Sequence, residues 1–362
     1  MDAAVERIIE SIRREADGLG PVRIMEVCGT HADTIHRNGI PSVLPPNIQL
    51  VSGPGCPVCV TPRGYIDAAL RLAERGITIA TFGDMVRVPG SRSSLERAKA
   101  NGADVRVVYS PKDALRIAEE REVVFLGVGF ETTAAPVAAA VMEAERRRLR
   151  RFRLFSTHKT VPPALAALFI PPAGAVNAAP AGVKGLICPG HVSVIIGAKA
   201  YRPLAADAKL ACVIAGFEPE DILAAVMMIV RQLRSGATRV EVEYRSWVKD
   251  DGNQAALQLI ETVFEECGAE WRGLGSVPGS GLRLRERFAD YDAERVYGLA
   301  VESVPDPAGC QCAEVIRGVI APPECTLFGK VCRPDSPIGP CMVSAEGSCA
   351  IRYKYRIHRR VT

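Results

Sequence analysis

Short apolar runs alternate with amphipathic stretches along most of the first 240 residues of the chain. The runs are rich in Val, Ile and Leu, and they fall at 22–27, 48–52, 77–82, 105–109, 123–128, 153–157, 185–188 and 210–215. Between them apolar residues recur with helical spacing, as at Ile66, Ala69, Leu70 and Ala73. Strands that alternate with helices pair in parallel. The pattern therefore predicts an α/β protein.

The predicted elements form two series, followed by a region of different character. We expect residues 1–120 to form a first Rossmann-like α/β lobe and residues 121–238 a second one. From about residue 239 the alternation is lost: a strand-like stretch and a helix ending near Cys267 lead into a tract rich in Gly, Pro and Arg. Residues 239–362 are therefore predicted to be a small, separate C-terminal region that binds a metal cofactor.

Composition and charge narrow the classes of protein that remain. Of the 362 residues, 48% are apolar and 24% are charged, which is typical of a soluble globular protein, and a net charge of +4 gives no reason to expect nucleic acid. Residues 161–183 carry no charge, but five prolines interrupt them, so we predict a buried helix and a loop instead of a membrane span. The N-terminal stretch shows a helical stripe and lacks the pattern of a secretion signal. We expect a cytoplasmic protein without membrane partners.

Reactive or ligand-type side chains stand at six predicted strand ends. In open parallel sheets, ligands bind beyond the carboxyl ends of the strands, so we expect these side chains to meet at one rim. Any one of these side chains could be a helix cap or a buried polar group whose hydrogen bonds are satisfied. Six of them together favour a functional site. They are Cys28 with Thr30 and His31, the Cys56/Cys59 pair, Asp84, Glu131 with Thr132 and Thr133, His158 with Lys159, and Cys188 with His191.

The first thiols lie where strands turn into helices. At such corners the free N–H groups and the positive end of the helix dipole favour thiolate over thiol at Cys28 and Cys56. The motif Cys56-Pro-Val-Cys59 could be a redox pair, half of a zinc site or two ligands of iron. A zinc site needs a second cysteine pair at matching spacing, and Cys28 is a single thiol. A redox pair or an iron site is therefore favoured.

Half of the cysteines lie near the end of the chain. In a reducing compartment such clusters point to metal binding or redox chemistry. Their spread favours a 4Fe-4S cluster, with structural zinc as the alternative. Cys212, inside an apolar strand, and Cys267, on an extended helical stripe, are predicted to be core residues. The six tail cysteines are Cys310, Cys312, Cys325, Cys332, Cys341 and Cys349.

Longer motifs resemble those of a known family across nearly the whole chain. They are CGTH at 28–31, GPGCPVC at 53–59, TFGDMVRVPGS at 81–91, GFETTAAP at 129–136, PGHVSVIIG at 189–197, WRGLG at 271–275 and a tail that ends in MVSAEGSCA. In this order they resemble the HypD family of hydrogenase maturation factors. The resemblance implies a scaffold that, with the small protein HypC, holds one iron while two cyanides and one carbon monoxide are installed for [NiFe]-hydrogenases. HypE would supply the cyanide.

The resemblance also implies roles for individual cysteines. Cys28 would be the thiolate that binds iron opposite a cysteine of HypC, with Cys56 and Cys59 as the thiol pair beside it. The family's tail spacing, C-x12-C-x6-C-x16-C, implies the 4Fe-4S ligands, with Cys310 and Cys341 as possible replacements. The implied ligands are Cys312, Cys325, Cys332 and Cys349.

The resemblance also implies a source of electrons for the iron site. The family's cluster environment is similar to that of ferredoxin-thioredoxin reductase, which implies that electrons pass from the cluster to the Cys56/Cys59 pair and on to the iron. Cyanide and carbon monoxide favour ferrous iron, and release of cyanide from a thiocyanate group takes two electrons. We hypothesise that four rim residues orient the thiols or supply protons: His31, Asp84, Glu131 and His191. The alternatives are a cluster-driven disulfide reductase and a structural zinc protein that docks partners.

Overall fold

The computed structural model describes residues 3–170 and 182–356. The strands are β1 Val22–Glu26, β2 Ile48–Ser52, β3 Thr78–Thr81, β4 Val105–Val107, β5 Val123–Gly127, β6 Phe152–Ser156, β7 Val183–Cys188, β8 Ala211–Ile214, β9 Val240–Val242, β10 Phe264–Trp271 and β11 Gly275–Leu284. The α-helices are α1 Ala3–Ala16, α2 Gly29–Arg37, α3 Pro57–Val60, α4 Arg63–Glu74, α5 Gly83–Val86, α6 Leu95–Ala100, α7 Pro111–Glu120, α8 Glu131–Arg146, α9 Val161–Phe169, α10 Gly190–Ile196, α11 Arg202–Ala206, α12 Pro219–Ser235, α13 Gln254–Val263, α14 Ala293–Tyr297, α15 Cys312–Ile316 and α16 Ser348–Arg356. Every strand predicted from the apolar runs is present.

Two parallel sheets form the centre of the molecule. Sheet A has the strand order β2-β1-β7-β8-β9, and sheet B has the order β4-β3-β5-β6. All pairs within these two sheets are parallel. Because parallel neighbours need a crossover connection, helices lie between successive strands. The predicted α/β class with two parallel-sheet units is confirmed.

The strands do not divide between the sheets as the predicted boundaries require. Strands β1 and β2 pair with β7, β8 and β9, so sheet A combines residues 22–52 with residues 183–242, and sheet B is formed by residues 78–156 between them. Sheet B crosses the predicted boundary at residue 120, and β9 lies beyond the one at residue 238. Periodicity identifies a strand, but it does not identify its neighbour. The observed pairing of distant strands therefore differs from the predicted division into residues 1–120 and 121–238.

The cysteine-rich tail packs onto the body that carries the sheets. A single apolar cluster contains Met25 of sheet A, Val124 of sheet B, and Val315 and Met342 of the tail. Two further clusters lie under the outer helices, one beneath α7 and α8 and one beneath α1 and α12. The tail consequently shares a core with both sheets, and its cysteines are held against the edge of sheet A.

The region after residue 254 corrects one prediction. Helix α13 ends at Val263, and β10 pairs with β11 as an antiparallel hairpin. Burial alternates along β10, so Cys267 lies on a half-buried strand and is not a core residue of a helix. The apolar residues around Cys267 fit both a helical period and a strand period, and pairing with β11 makes this segment a strand. Cys212 is fully buried in β8, as predicted.

The uncharged segment begins with a helix. The predicted buried helix is α9, and the predicted loop after it lies largely outside the described residues. Across 3–170 and 182–356, none of the helices combines the length and the apolar character that a membrane crossing requires.

Candidate functional site

Two cysteine motifs meet at the edge of sheet A. Because β1 and β2 are neighbours, the segments that leave them run side by side, and the backbone N–H of Gly29 donates to the carbonyl of Gly55 at 3.4 Å. A Cβ on Gly55 would lie 2.3 Å from the backbone nitrogen of Cys28, so only glycine allows this approach. Cys28 precedes α2 and Cys56 precedes α3 as N-cap residues. The predicted convergence of these two strand ends is confirmed.

The two cysteines of the GPGCPVC motif are joined as a disulfide. Cys56 and Cys59 form a disulfide with their Cα atoms 5.3 Å apart, and the backbone N–H of Cys59 points to the sulfur of Cys56 at 3.2 Å. Arg272, from the WRGLG motif, donates to the carbonyls of Cys59 and Thr61 at 3.0 Å each and pairs with Asp306. Burial lowers the pKa of Arg272 to about 10, and the side chain stays charged at neutral pH. Arg272 thus fixes the turn that carries the pair.

Cys28 is a buried thiol with a raised pKa. Burial raises this pKa to about 12, and the charges of Glu346 and Glu26 act in the same direction. The backbone N–H groups of His31 and Thr30 favour the thiolate, but they do not offset the loss of water. The predicted lowering of the pKa by the helix end is therefore wrong. A bound cation would supply the charge that a thiolate needs here.

Two carboxyl groups that the sequence analysis did not single out lie beside Cys28. Glu26 accepts a hydrogen bond from the Cys28 backbone N–H at 2.9 Å, and burial raises the pKa of Glu26 well above its usual value. Glu26 and Glu346 line one cavity together with the Cys56–Cys59 disulfide. The sequence carried signals for both: Glu26 interrupts an apolar strand, and Glu346 belongs to the MVSAEGSCA motif.

Asp84 joins sheet B to the tail beside this cavity. Its Oδ2 accepts from the Ser344 hydroxyl at 2.7 Å and from the Ala345 backbone N–H at 3.3 Å. The next residue, Glu346, accepts from the Thr30 hydroxyl at 3.4 Å. Burial first, and then the Asp84 charge, raises the pKa of Glu346. Asp84 therefore acts on the thiol site through the tail and makes no hydrogen bond to a thiol.

The two predicted histidines flank one aromatic ring. The His191 ring stacks on Phe217 with centroids 3.9 Å apart, and the His31 ring lies 5.1 Å from the same ring. His31 Nε2 is 3.3 Å from the carbonyl oxygen of Ala215. Burial lowers the pKa of His31 to about 4, so its imidazole is neutral at pH 7. The structure thus brings His31 and His191 together at Phe217, and His31 lies in helix α2, which Cys28 precedes.

Glu131 stands at the edge of sheet B and contacts another helix. Its Oε1 accepts from the Val161 backbone N–H at 2.9 Å, at the start of α9. Burial raises the pKa of Glu131 to about 7. The carboxyl group therefore caps α9 from within the protein.

His158 and Lys159 line a separate cavity of about 370 Å³ against the β10–β11 hairpin. The Lys159 ammonium donates to the carbonyl of Glu270 at 2.6 Å and lies over the Trp271 ring. The expected single rim of six strand ends is consequently wrong, because the ends belong to two sheets.

One predicted cluster ligand is already bonded to another sulfur. Cys312 forms a disulfide with Cys341, with Cα atoms 6.3 Å apart. Cys312 is therefore not a free thiol in this structure, and its assignment as a 4Fe-4S ligand stays a prediction. The four free tail cysteines line one cavity together with this disulfide: Cys310, Cys325, Cys332 and Cys349. The pairing of Cys312 with Cys341 depends on contacts between distant residues, which the spacing of the cysteines along the chain does not determine.

The four free thiols have the chemistry of a cluster site. Burial raises the pKa of Cys349, and the other three thiols raise it further because their charges would repel. Gly339 leaves room for them, since a Cβ there would lie 2.6 Å from the Cys310 sulfur. Four thiolates suit a 4Fe-4S cluster. Within the described part of the chain no three His, Cys, Asp or Glu side chains lie close enough to hold a single metal ion.

Comparison with known proteins identifies the family. The model described as "HypD: Hydrogenase formation hypA family" matches residues 3–356. "Hydrogenase maturation factor HypD" of Azotobacter vinelandii is 44% identical over 99% of this chain and 96% of that protein. The chain belongs to the HypD family. Proteins of the same name from Cupriavidus necator and Escherichia coli are 45% and 43% identical, over 97% of this chain and 94% and 95% of those proteins.

Family membership makes the chain a hydrogenase maturation factor. In this HypD-family fold, CGTH, GPGCPVC and the tail motif converge on the cavity beside Cys28. The PGHVSVIIG motif adds His191 at the same edge of sheet A. The GFETTAAP motif lies at the edge of sheet B. The motifs are far apart in sequence, and the fold divides them between two edges.

Proposed function

We propose that the chain is a scaffold for assembly of the iron unit of [NiFe]-hydrogenases and that Cys28 binds the iron while two cyanides and one carbon monoxide are added. One observation carries the proposal: Cys28 lies where three family motifs meet, beside the Cys56–Cys59 disulfide, the buried Glu26 and the partly buried Glu346. HypC, as the protein that shares the iron, and HypE, as the cyanide donor, are the proposed partners. The proposed location is the cytoplasm.

Ferrous iron is the cargo of this site. The burial that raises the pKa of Cys28 makes the free thiolate unfavourable, and a divalent cation offsets that cost. Binding therefore releases the Cys28 proton. Glu26 holds the backbone N–H of Cys28 and so orients the thiol, while Glu346 adds negative charge that favours a cation. His31 and His191, neutral and close to the site, are proposed to orient the thiol or exchange protons.

The resident cofactor is proposed to be a 4Fe-4S cluster bound by the four free tail thiols. This replaces Cys312 by Cys310 and changes the spacing to C-x14-C-x6-C-x16-C. When bound, the cluster would supply single electrons at low potential. The ligands in this proposal are Cys310, Cys325, Cys332 and Cys349.

A second thiol pair lies between this cavity and the iron site. Cys341 lines the tail cavity and also the cavity that holds Cys56 and Cys59. Two electrons, which the cluster would pass one at a time, and two protons first convert Cys312–Cys341 into two thiols. The Cys341 thiolate then attacks one sulfur of Cys56–Cys59 and releases the other as a thiolate, and Cys312 attacks the Cys341 sulfur of the mixed disulfide and releases the second. The disulfide passes to Cys312–Cys341, and Cys56 and Cys59 gain two electrons and two protons as thiols. These are the two electrons that release cyanide from a thiocyanate group.

Infrared spectroscopy tests the scaffold. The protein is purified without oxygen, together with HypC, from a strain that contains the other maturation factors. We expect cyanide and carbonyl bands that vanish in Cys28→Ala and persist in Cys267→Ala, which removes a partly exposed thiol on the hairpin. If the intact complex contains iron and sulfide but shows no bands, the scaffold proposal fails.

The second candidate is a disulfide reductase driven by the cluster. The observation that favours it is a cavity lined by the Cys56–Cys59 disulfide and by Cys341, one half of the Cys312–Cys341 disulfide. The protein would then reduce a generic protein disulfide when an artificial electron donor is present. Activity of this kind that survives Cys28→Ala, without infrared bands, would favour the reductase over the scaffold.

A further inference from the structure

The outer side of the tail cavity carries a concentrated positive charge. We define the basic surface by six cationic residues and one exposed apolar residue, Val331, whose side chain is 60% exposed. Two acidic residues, Glu96 and Asp335, lie among these cations, and Asp67 accepts hydrogen bonds from Ser91 at the same surface. The formal net charge of the whole chain is +4. The cations are Arg63, Arg87, Arg92, Arg97, Lys330 and Arg333.

Contacts show that these residues form one surface. Arg87 donates to the carbonyl of Pro334, and Ser336 donates through its hydroxyl to the carbonyl of Val331 at 3.3 Å. Residues 333 and 336 are bridged by backbone hydrogen bonds. The loop 331–336 is thereby folded against the segment that carries Arg92 and Arg97. Between them lies an open cavity of about 410 Å³ lined by four of the arginines.

The basic surface borders the proposed cluster directly. Ile338 lines the arginine cavity, and its backbone N–H points to the sulfur of Cys332 at 3.4 Å. Lys330, Val331 and Arg333 flank Cys332 in sequence. A protein that docks here would approach the tail thiols near Cys332, whereas Cys56 and Cys59 line a different cavity with Cys341.

The arginines keep much of their charge available. Arg63 donates to the carbonyls of Gly90 and Pro305, which are neutral acceptors. Arg92 and Arg97 are exposed to solvent. Six cations against three carboxylates make a local excess that attracts an acidic partner and raises its rate of encounter. A small exposed apolar centre within charged surroundings suits a brief, weak contact of the electron-transfer type.

We propose that this basic surface docks a small acidic electron-carrier protein that reduces the 4Fe-4S cluster. The inference rests on the proposed function, which requires electrons but leaves their source open. In each encounter the reduced carrier loses one electron and the oxidised cluster gains one. Two encounters supply the two electrons that convert one disulfide, with two protons, into two thiols.

The test compares a protein donor with a small-molecule donor. The probe is a reduced, acidic plant-type [2Fe-2S] ferredoxin, and the control reductant is dithionite; both are mixed with the full chain under anaerobic conditions and followed by visible absorbance. The test variant is Arg92→Glu with Arg97→Glu. The control variant is Arg13→Glu with Arg14→Glu, two exposed cations on α1, which packs against α12.

We expect the reduction rate by ferredoxin at low ionic strength to fall at least about tenfold in the test variant and to stay unchanged in the control variant. Added salt slows the wild-type reaction and has less effect on the test variant. Reduction by dithionite is equal in all three proteins. Ferredoxin binding, measured by fluorescence anisotropy on the same proteins, weakens in parallel.

Unchanged ferredoxin binding and unchanged rates in the test variant would overturn the proposal. So would tight binding of a duplex DNA fragment at physiological salt without binding of ferredoxin, since that result would assign the surface to nucleic acid. A protein that contains no iron and sulfide, or that dithionite fails to reduce, argues against the cluster itself. In that case the anisotropy measurement still decides whether the surface binds an acidic carrier.

Discussion

The two parallel sheets carry different chemistry at their carboxyl edges. Around the edge of sheet A lie Cys28, the Cys56–Cys59 disulfide and the two histidines. The segment that forms sheet B, residues 78–156, contains no cysteine, and its strands end at Asp84, Glu131 and the His158–Lys159 pair. The cysteines thus gather at the edge of sheet A, together with histidines and carboxyl groups, whereas the edge of sheet B carries only ionisable oxygen and nitrogen groups among the residues named here.

The partners of these side chains differ in the same way. At sheet B, Asp84 holds the tail, Glu131 caps α9, and Lys159 holds the β10–β11 hairpin. Each bonds to the backbone or hydroxyl of another segment. At sheet A the Cys56–Cys59 disulfide lines a cavity with two carboxyl groups, Glu26 and Glu346. We infer that the edge of sheet B stabilises the structure and that the edge of sheet A performs the chemistry.

The largest effect tests this comparison directly. Cys28→Ala removes the proposed iron ligand, so we expect hydrogenase activity, in a strain that depends on this chain for maturation, to fall by at least about 1,000-fold, or roughly 4 kcal/mol in equivalent free energy. Glu131→Gln is the matched change at sheet B and should lower activity less than about tenfold. Equal losses from the two changes, with both proteins folded, would break the comparison.

The tail cysteines give the next largest effect. Cys310→Ala removes a proposed cluster ligand, whereas Cys312→Ala removes one half of the proposed Cys312–Cys341 relay and no proposed cluster ligand. We expect the first variant to lose most of its iron and sulfide and the second to keep a cluster, as measured by metal analysis and visible absorbance of protein purified without oxygen. The reverse result would restore the assignment of Cys312 as a ligand.

The substitution Glu131→Gln also tests, through the pH dependence of stability, whether Glu131 acts as a buried structural group. The native pKa of Glu131 is about 7, raised by burial from 4.5, so the native state binds more protons than the unfolded state between these values. Wild-type stability therefore falls as pH rises from 4.5 to 7. Gln does not titrate. We therefore expect the free energy of unfolding of the Glu131→Gln protein, taken relative to wild type at each pH, to increase by about 3 kcal/mol between pH 4.5 and pH 8.

Denaturant unfolding at several pH values measures this change. Glu143→Gln is the control, because Glu143 lies on the same helix α8 but pairs with Arg146 at the surface. A Glu131→Gln curve parallel to the wild-type curve from pH 4.5 to pH 8 would contradict the role of burial.

The smallest effect is expected at Asp84. Asp84→Ala removes the acceptor for Ser344 and Ala345 and should cost about 1–2 kcal/mol of unfolding free energy. Since Asp84 makes no hydrogen bond to a thiol, hydrogenase maturation should fall only as far as the folded population falls. Asp207→Ala, at an exposed position, is the control. Loss of maturation without loss of stability would move Asp84 into the chemistry.

Local pattern was sufficient for the elements and for part of the site. Apolar runs gave the strands, and the residues that follow β1 and β2 in sequence, Cys28, Cys56 and Cys59, had to share an edge once those strands paired. The residues that follow a strand are local to it, so the sequence could place them. The family motifs also identified the maturation factor correctly.

Tertiary structure alone decided which distant groups meet. Pairing of β1 with β7 separated the strand ends into two edges, and folding of the tail bonded Cys312 to Cys341, leaving Cys310 free. It also brought Glu346 to Cys28. Spacing along the chain reports what is local, whereas contacts between residues hundreds of positions apart depend on the path of the backbone and on packing. For this protein the sequence determined the elements and the reactive groups, and the fold decided their partners.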